Sequence, residues 1–358
     1  MHPRAEEEPM TIGQRHGEPR AAEANPAGAV DLTAAALLRL LSAGATGSIV
    51  MALGEGPLRT KELTERVPGY APRTIYRYAS KLTEIGVIER EEEPGVPSKV
   101  VHSLTDPSGL ELHQLVEGYA EASMSRLPSG EISSHDWGSL ALLADLWESG
   151  MLDELNVGPR SPTELARGEH DWSFHQVSRR AGLFAIGGFI EEIPTATRRR
   201  RYALTEKARR AMALIAGIGR WRRRHVVPGG ETGLTLDEAA GLMRTLLPLV
   251  TLPEQAGKSF ALEIVAPGEE ERGERFVWGE IGPDGTVTSC LVPPADVDCT
   301  GRGDVTVWVD SVLDGPREEL SKRGDARLLD ECLRRLHAVL WGRRDVQAVD
   351  SAPAAPAR

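Results

Sequence analysis

Gly56-Pro57-Leu58-Arg59-Thr60-Lys61-Glu62-Leu63 opens a stretch, running to Thr105, that returns in altered form from Gly158-Pro159 to Thr205. Both versions hold a Gly-Pro turn, a short helix with Glu-Leu (Glu62-Leu63, Glu164-Leu165), a longer basic helix, a Gly-x-Ile-Glu exit and a closing Leu-Thr. Through the helical part the interval between matching positions stays at 102 residues, from 56 to 158, 62 to 164, 77 to 179 and 88 to 190. A constant interval of this kind marks a duplicated structural unit.

Within the first unit, Ser48 to Leu53 reads as a short buried helix that Gly54 and Gly56-Pro57 stop. Thr60 to Val67 forms the next, with Leu63 and Val67 at i, i+4 spacing, and Pro68-Gly69 turns the chain. Pro72 opens a third helix to about Ile85, whose core stripe is Ile75, Ala79, Leu82 and Ile85. Val87 to Arg90 and Lys99 to Leu104 alternate as two strands joined through Pro94 to Pro97. The second unit repeats the order: a helix from Leu140 to Leu155, then Pro162 to Arg167, Trp172 to Ile186, a hairpin ending in Arg198-Arg199-Arg200-Arg201-Tyr202, and a closing helix from Glu206 to about Trp221. Helix, helix, basic helix and hairpin is the pattern of a winged helix-turn-helix. Such a fold lays one helix in the major groove, where Arg binds guanine and Gln binds adenine, and touches phosphate with its hairpin. The outward residues with that chemistry are Arg73, Thr74, Arg77 and Lys81 in one unit, and Ser173, His175, Gln176, Arg179 and Arg180 in the other. Lys99, Arg198, Arg199, Arg200 and Arg201 are the candidate phosphate contacts. An outward stripe of cations is equally what a solvated helix face looks like, and Glu91-Glu92-Glu93 in the first hairpin repel phosphate.

The 358 residues carry a net charge of −11, unevenly spread. Residues 132–225 hold 15 Lys and Arg against 11 Asp and Glu, whereas residues 226–358 hold 14 against 23. The acidity thus sits in the last third and leaves the second unit basic, a distribution compatible with double-stranded DNA as partner. Met1 to about Gly28 and the tail after Asp345 lack apolar periodicity and are expected to be disordered. No apolar run approaches the roughly 18 residues of a membrane span, so a cytoplasmic protein is expected, without a membrane partner. Cys290, Cys299 and Cys332 have neither disulfide nor zinc spacing. The chain shows no dinucleotide fingerprint, P-loop, H-E-x-x-H or nucleophile elbow, so neither a cofactor nor an enzyme is expected; His170, Asp171 and His175 fall on different sides of a helix and make a poor metal set.

Gly56 to Leu63, Val67-Pro68-Gly69-Tyr70-Ala71-Pro72-Arg73-Thr74-Ile75, Gly86 to Arg90 and Pro97-Ser98-Lys99-Val100-Val101-His102-Ser103-Leu104-Thr105 resemble the HxlR family of bacterial winged-helix regulators, with His102 where that family has Tyr. The resemblance spans residues 45–122 and, more loosely, 138–221, where the hairpin lacks the family's prolines. It implies a transcriptional regulator of a kind that acts as a homodimer on near-palindromic DNA. Two fused copies would then supply that symmetry in one chain, acting as a monomer or a homodimer.

The last third changes character. Leu236 to Leu249 reads as helix, Phe260–Val265, Arg275–Ile281, Val287–Val292 and Val305–Val309 as strands, and Ala326 to Trp341 as a closing helix. Ala295-Asp296-Val297-Asp298-Cys299-Thr300, Asp304 to Val307, Leu313-Asp314-Gly315 and Gly324-Asp325 are similar to the end of a sterol-carrier-protein-like domain. That resemblance implies helices over a sheet and an apolar tunnel for a small apolar ligand, with Phe260, Leu262, Trp278, Trp308 and Leu336 as lining candidates that are equally well read as plain core. The expected architecture is mainly α with α+β: disordered 1–30, winged helices at 31–125 and 132–225, an α+β sterol-carrier-like domain at 232–345, and a disordered 346–358. A protein-interaction scaffold or a lipid-binding protein that never touches DNA remains the alternative.

Overall fold

The structure, a computed structural model, describes residues 32–43, 45–94, 99–124, 132–156, 158–167, 172–194, 200–226, 234–266, 273–290 and 292–341. Both terminal segments expected to be disordered, and Arg198 and Arg199, lie outside the described residues.

Helix α1 (Ala34–Ser42) starts at Thr33, whose hydroxyl accepts the Ala36 N–H, and buries Leu37, Leu38 and Leu41. Helix α2 (Thr46–Gly54) follows, then the two-residue strand β1 (Leu58–Arg59) and helix α3 (Thr60–Arg66). Helix α4 (Pro72–Glu84) has Pro72 in its first turn and buries Ile75, Ala79 and Leu82 at i, i+4, i+7, the stripe expected of an amphipathic helix on a core. Gly86 ends it at φ 74°, and β2 (Ile88–Glu93) pairs antiparallel with β3 (Lys99–Leu104), with β1 on the far side of β3. Helix α5 (Ser108–Ser123) closes this region.

The helix expected over Leu140 to Leu155 is two helices, α6 (Ser134–Glu148) and α7 (Met151–Asn156). Gly150, at φ 64°, adopts a left-handed conformation that ends the first and starts the second, which an apolar periodicity running through both does not reveal. Helix α8 (Pro162–Leu165), helix α9 (Phe174–Ile186) and the hairpin β4 (Ile190–Ile193) with β5 (Arg201–Leu204) come next. The long helix α10 (Glu206–His225) extends one turn beyond its expected end.

Local geometry recurs between the two stretches, at an interval of 102 up to the hairpin and 100 after it. Val87 N–H donates to Leu82 O and Phe189 N–H to Phe184 O, both at 2.9 Å. Thr105 Oγ1 donates to Gly86 O at 2.6 Å and Thr205 Oγ1 to Gly188 O at 2.7 Å, and Gly188 sits at φ 75° beside the 74° of Gly86. Leu58 pairs with His102 as Arg160 bridges to Tyr202. Helices α1 and α6 pack along each other, as do α5 and α10.

In the last third, α11 (Leu236–Leu246) precedes β6 (Ser259–Val265), β7 (Glu274–Ile281), β8 (Val287–Cys290), β9 (Cys299–Asp304), α12 (Val305–Asp314), β10 (Ser321–Gly324) and α13 (Ala326–Trp341). The sheet runs β10-β9-β6-β7-β8, antiparallel except where β6 meets β9. Phe260, Leu262 and Ile264 alternate onto the face that α11, α12 and α13 approach. The strand expected over Val305–Val309 is instead the start of α12. Asp304 caps it by accepting the Val307 N–H at 2.9 Å, and a good N-cap with a buried apolar stripe outweighs the strand propensity of Val-Thr-Val-Trp-Val. Middle residues of α10 from Ala211 to Gly219 are buried on every side, since α5, α1, α11 and α12 all pack on it. No single helix among the described residues is long and apolar enough to cross a membrane.

Candidate nucleic-acid interface

The start of α3, the flank of α4 and the β2–β3 hairpin enclose a cleft of about 860 Å³. Strand β1 draws them together, because Leu58 and Arg59 pair with His102 and Val101 and so bring the α3 N-terminus against β3. Arg59 N–H donates to Glu62 Oε2 at 2.7 Å, and Thr60 Oγ1 lies 3.3 Å from Val100 O and 3.2 Å from His102 Nε2. His102 is buried, and its pKa is lowered by desolvation first and by the Arg90 charge second. Four cations, Arg59, Lys61, Arg90 and Lys99, open onto this cleft with Tyr76 and Ser80 of α4. Two are partly neutralised by the hairpin's own carboxylates, Arg59 with Glu93 and Arg90 with Glu92, each at 3.1 Å and exposed. Exposed pairs of this strength exchange readily for a phosphate oxygen.

Of the residues expected from sequence, Lys99 lies in the cleft and Arg73 is exposed on the first turn of α4. Thr74 is half-buried, while Arg77 and Lys81 lie over the Tyr78 ring, 4.8 and 5.7 Å from its centroid, and do not line the cleft. The residues expected from sequence thus share the outward face of α4, beside the flank that lines the cleft. Tyr76, Ser80 and Thr83 repeat at i, i+4, i+7 one step after Ile75, Ala79 and Leu82, and that phase was the available signal.

In the second unit, Ser173 is the N-cap of α9: its hydroxyl accepts the Gln176 N–H at 3.3 Å, and Gln176 Oε1 accepts the Ser173 N–H at 2.8 Å. Gln176, Arg179 and Arg180 line a different cleft, of about 610 Å³, against α6 and α1, with Arg180 stacked 4.7 Å over Trp172. Across it Arg39 donates to Asp145 and Glu148, each at 2.6 Å, and these hydrogen bonds hold the guanidinium firmly charged. His175 is exposed. Arg200 is exposed 3.7 Å from Glu192, whereas Arg201 is a tie between hairpin and α8, donating to Glu164 at 2.7 Å.

Phe260, Leu262, Trp308 and Leu336 are wholly buried, Trp308 donating its indole N–H to Glu263 O at 3.1 Å from helix α12 rather than from a strand. Trp278 lies on the opposite sheet face, its ring stacked on Phe276 at 5.3 Å. The five are thus divided between the two sides of the sheet.

Residues 41–128, which contain α2, α3, α4, the β2–β3 hairpin and α5, match the HxlR-like helix-turn-helix family. These residues are an HxlR-like helix-turn-helix domain. The HTH-type transcriptional regulator YodB of Bacillus subtilis (strain 168) is 33% identical over 60 residues, 17% of this chain and 54% of YodB. The chain thus spans about half the length of that curated relative. Two solved structures of the same protein, diamide-treated YodB and the reduced form of the transcriptional regulator YodB, are 30% identical, with TM-scores of 0.22. They cover 24% of this chain and 86% and 85% of theirs. HxlR-type regulators bind DNA and commonly act as dimers. The cleft described above lies wholly inside the HxlR-like domain.

Proposed function

We propose that the chain is a sequence-specific transcriptional regulator of double-stranded DNA in which residues 158–205 form a second winged helix, so that a single chain carries an intramolecular pseudo-dimer. The observation that carries this reading is the helix pairing. Adding 102 to α1 lands within α6, and adding 100, the interval from Thr105 to Thr205, places α5 within α10. Each helix therefore packs against its own counterpart, the signature of an isologous two-fold contact, here within one chain. Base contacts by hydrogen bonding fall to Arg73, Tyr76, Arg77 and Ser80 of α4; phosphate contacts fall to Lys61, Arg90, Lys99 and Arg200 and, from α9, to His175 and Arg179. A sheet covered on one face by α11, α12 and α13 supports the sterol-carrier-like assignment of the last third, with Phe260, Leu262, Trp308 and Leu336 as its core rather than as ligand contacts. Its part in this reading is to hold α10, the shared helix, in place.

The test is fluorescence anisotropy of the full chain on genomic duplex fragments at two salt concentrations. Neutralising about five phosphates with Lys61, Arg90, Lys99, Arg179 and Arg200 gives a log–log slope of about −4.5. A slope near zero, or no complex at low salt, would leave a protein-interaction scaffold as the better reading.

A further inference from the structure

Helices α4 and α9 have 13 residues each, and their exposed positions can be compared one by one. In the N-terminal half both are mainly polar, Arg73, Tyr76 and Arg77 against His175, half-buried Ser178 and Arg179, although Phe174 at the start of α9 is also exposed. Beyond that they part. The exposed positions Ser80, Lys81, Thr83 and Glu84 of α4 correspond to Gly182, Leu183, Ala185 and Ile186 of α9, which are also exposed. Every polar residue has become apolar, and Leu183 and Ile186 stand 43% and 69% exposed, among the few large apolar side chains so exposed in the described residues. The polar half of α9 is also partly withdrawn. Gln176 Oε1 is held by the Ser173 N–H and hydroxyl, so the amide cannot make the two-pronged adenine contact that needs both its oxygen and its nitrogen, and Arg180 lies over Trp172.

We infer that the operator is asymmetric: base identity is read by hydrogen bonds under α4, whereas the half under α9 is read by apolar contact of Leu183 and Ile186 with thymine 5-methyl groups. This rests on the DNA-binding reading above and specifies its two halves. An apolar side chain at a groove edge has no hydrogen bond to offer, and the thymine methyl is the one apolar feature there. A chain with unequal halves sits on DNA in one orientation.

The experiment uses the full chain and a duplex it selects from a random pool. Affinity is measured for every single base-pair substitution, for thymine-to-deoxyuridine replacements that delete only the methyl, and for the exposed double variant Leu183→Ala, Ile186→Ala. Base-pair substitutions are expected to weaken binding about tenfold or more in one half only. Deoxyuridine is expected to weaken binding about fourfold per contacted methyl in the other half, and to have no effect in the double variant. Equal penalties in both halves overturn the inference while leaving DNA binding intact, as does a deoxyuridine effect that persists in the double variant. A double variant unchanged on every duplex overturns it too, and assigns the apolar end to a protein. Failure to select any duplex overturns the DNA-binding reading and this inference with it.

Discussion

At the scale of single residues, His102 pairs with Leu58 where, at the matching place between residues 158 and 205, Tyr202 bridges to Arg160. Desolvation and Arg90 lower the imidazole pKa, so the folded state favours the neutral ring. Because the folded pKa lies below the unfolded value of about 6.5, the associated stability is complete above pH 6.5 and is lost as pH falls from there toward the folded pKa. Thermal melts at pH 7.5 and 5.5 should show a drop in Tm that is smaller in His102→Tyr; an equal drop in both proteins would mean that other groups govern it. Tyr76 and Lys99 divide the interface differently. Lys99→Ala should weaken all duplexes alike and lower the salt slope by about 1, as one lost phosphate contact requires. Tyr76→Ala should leave the slope alone and shrink the gap between selected and scrambled DNA, measured by competition anisotropy. A changed slope in Tyr76→Ala would move that ring from the bases to the backbone.

Among the elements, the crossing of α5 and α10 is the contact on which the proposed fused pair depends. Gly217 lies under Leu115 so closely that a Cβ would fall 2.4 Å from Leu115 Cδ2, so a side chain at that position forces Leu115 to move within the packed crossing. Gly217→Val should destabilise the chain by about 1–3 kcal/mol in urea unfolding through overpacking, and adding Leu115→Ala should recover part of the loss. A variant as stable as the parent would mean that Leu115 moves aside at little cost and that the close approach at Gly217 does not hold the crossing together. Helix α4 was legible in the sequence because Pro72, the Ile75-Ala79-Leu82 stripe and Gly86 all specify the same element, and so was the β2–β3 hairpin. Strand β1 was not: two residues carry no periodicity, and only the pairing with His102 and Val101 makes them a strand, which is why Arg59 and Lys61 were missed as cleft residues. Strand β9 was hidden for a related reason, since Cys299–Asp304 contains Gly301 and Gly303 and reads as a turn, while the β-branched run that follows reads as a strand and is a helix. The break at Gly150 and the pairing of α1 with α6 depend on contacts between distant residues, to which local pattern is blind.

For the whole molecule, the basic end of α10 is where the three parts of the chain meet. Arg220 donates to both carboxylate oxygens of Asp314 at 2.8 Å and lies 3.6 Å from Glu111; Arg224 donates to Glu111 at 3.0 Å, and His225 Nε2 lies 2.7 Å from it; Arg223 reaches Asp310 at 3.4 Å. Glu111 belongs to α5 of the HxlR-like domain, and Asp310 and Asp314 to α12 of the C-terminal sheet region, so one helix end joins both through charge. The acidity of the last third is thereby partly spent inside the molecule, which lets an acidic chain present cations at the α4 cleft. Cations at the C-terminus of α10 also suit its dipole, so the node stabilises the helix as well as the junction. Glu111 and Arg220 are mostly shielded from solvent, and removing a charged hydrogen-bond partner there costs about 1.5–3 kcal/mol. If the node couples the parts, calorimetry of the parent chain should give one unfolding transition. Glu111→Gln with Asp314→Asn should lower it and split it in two. A single lowered transition in the double variant would mean that apolar packing of α11 and α12 on α10 suffices to unite the molecule, and that the charges contribute stability without coupling.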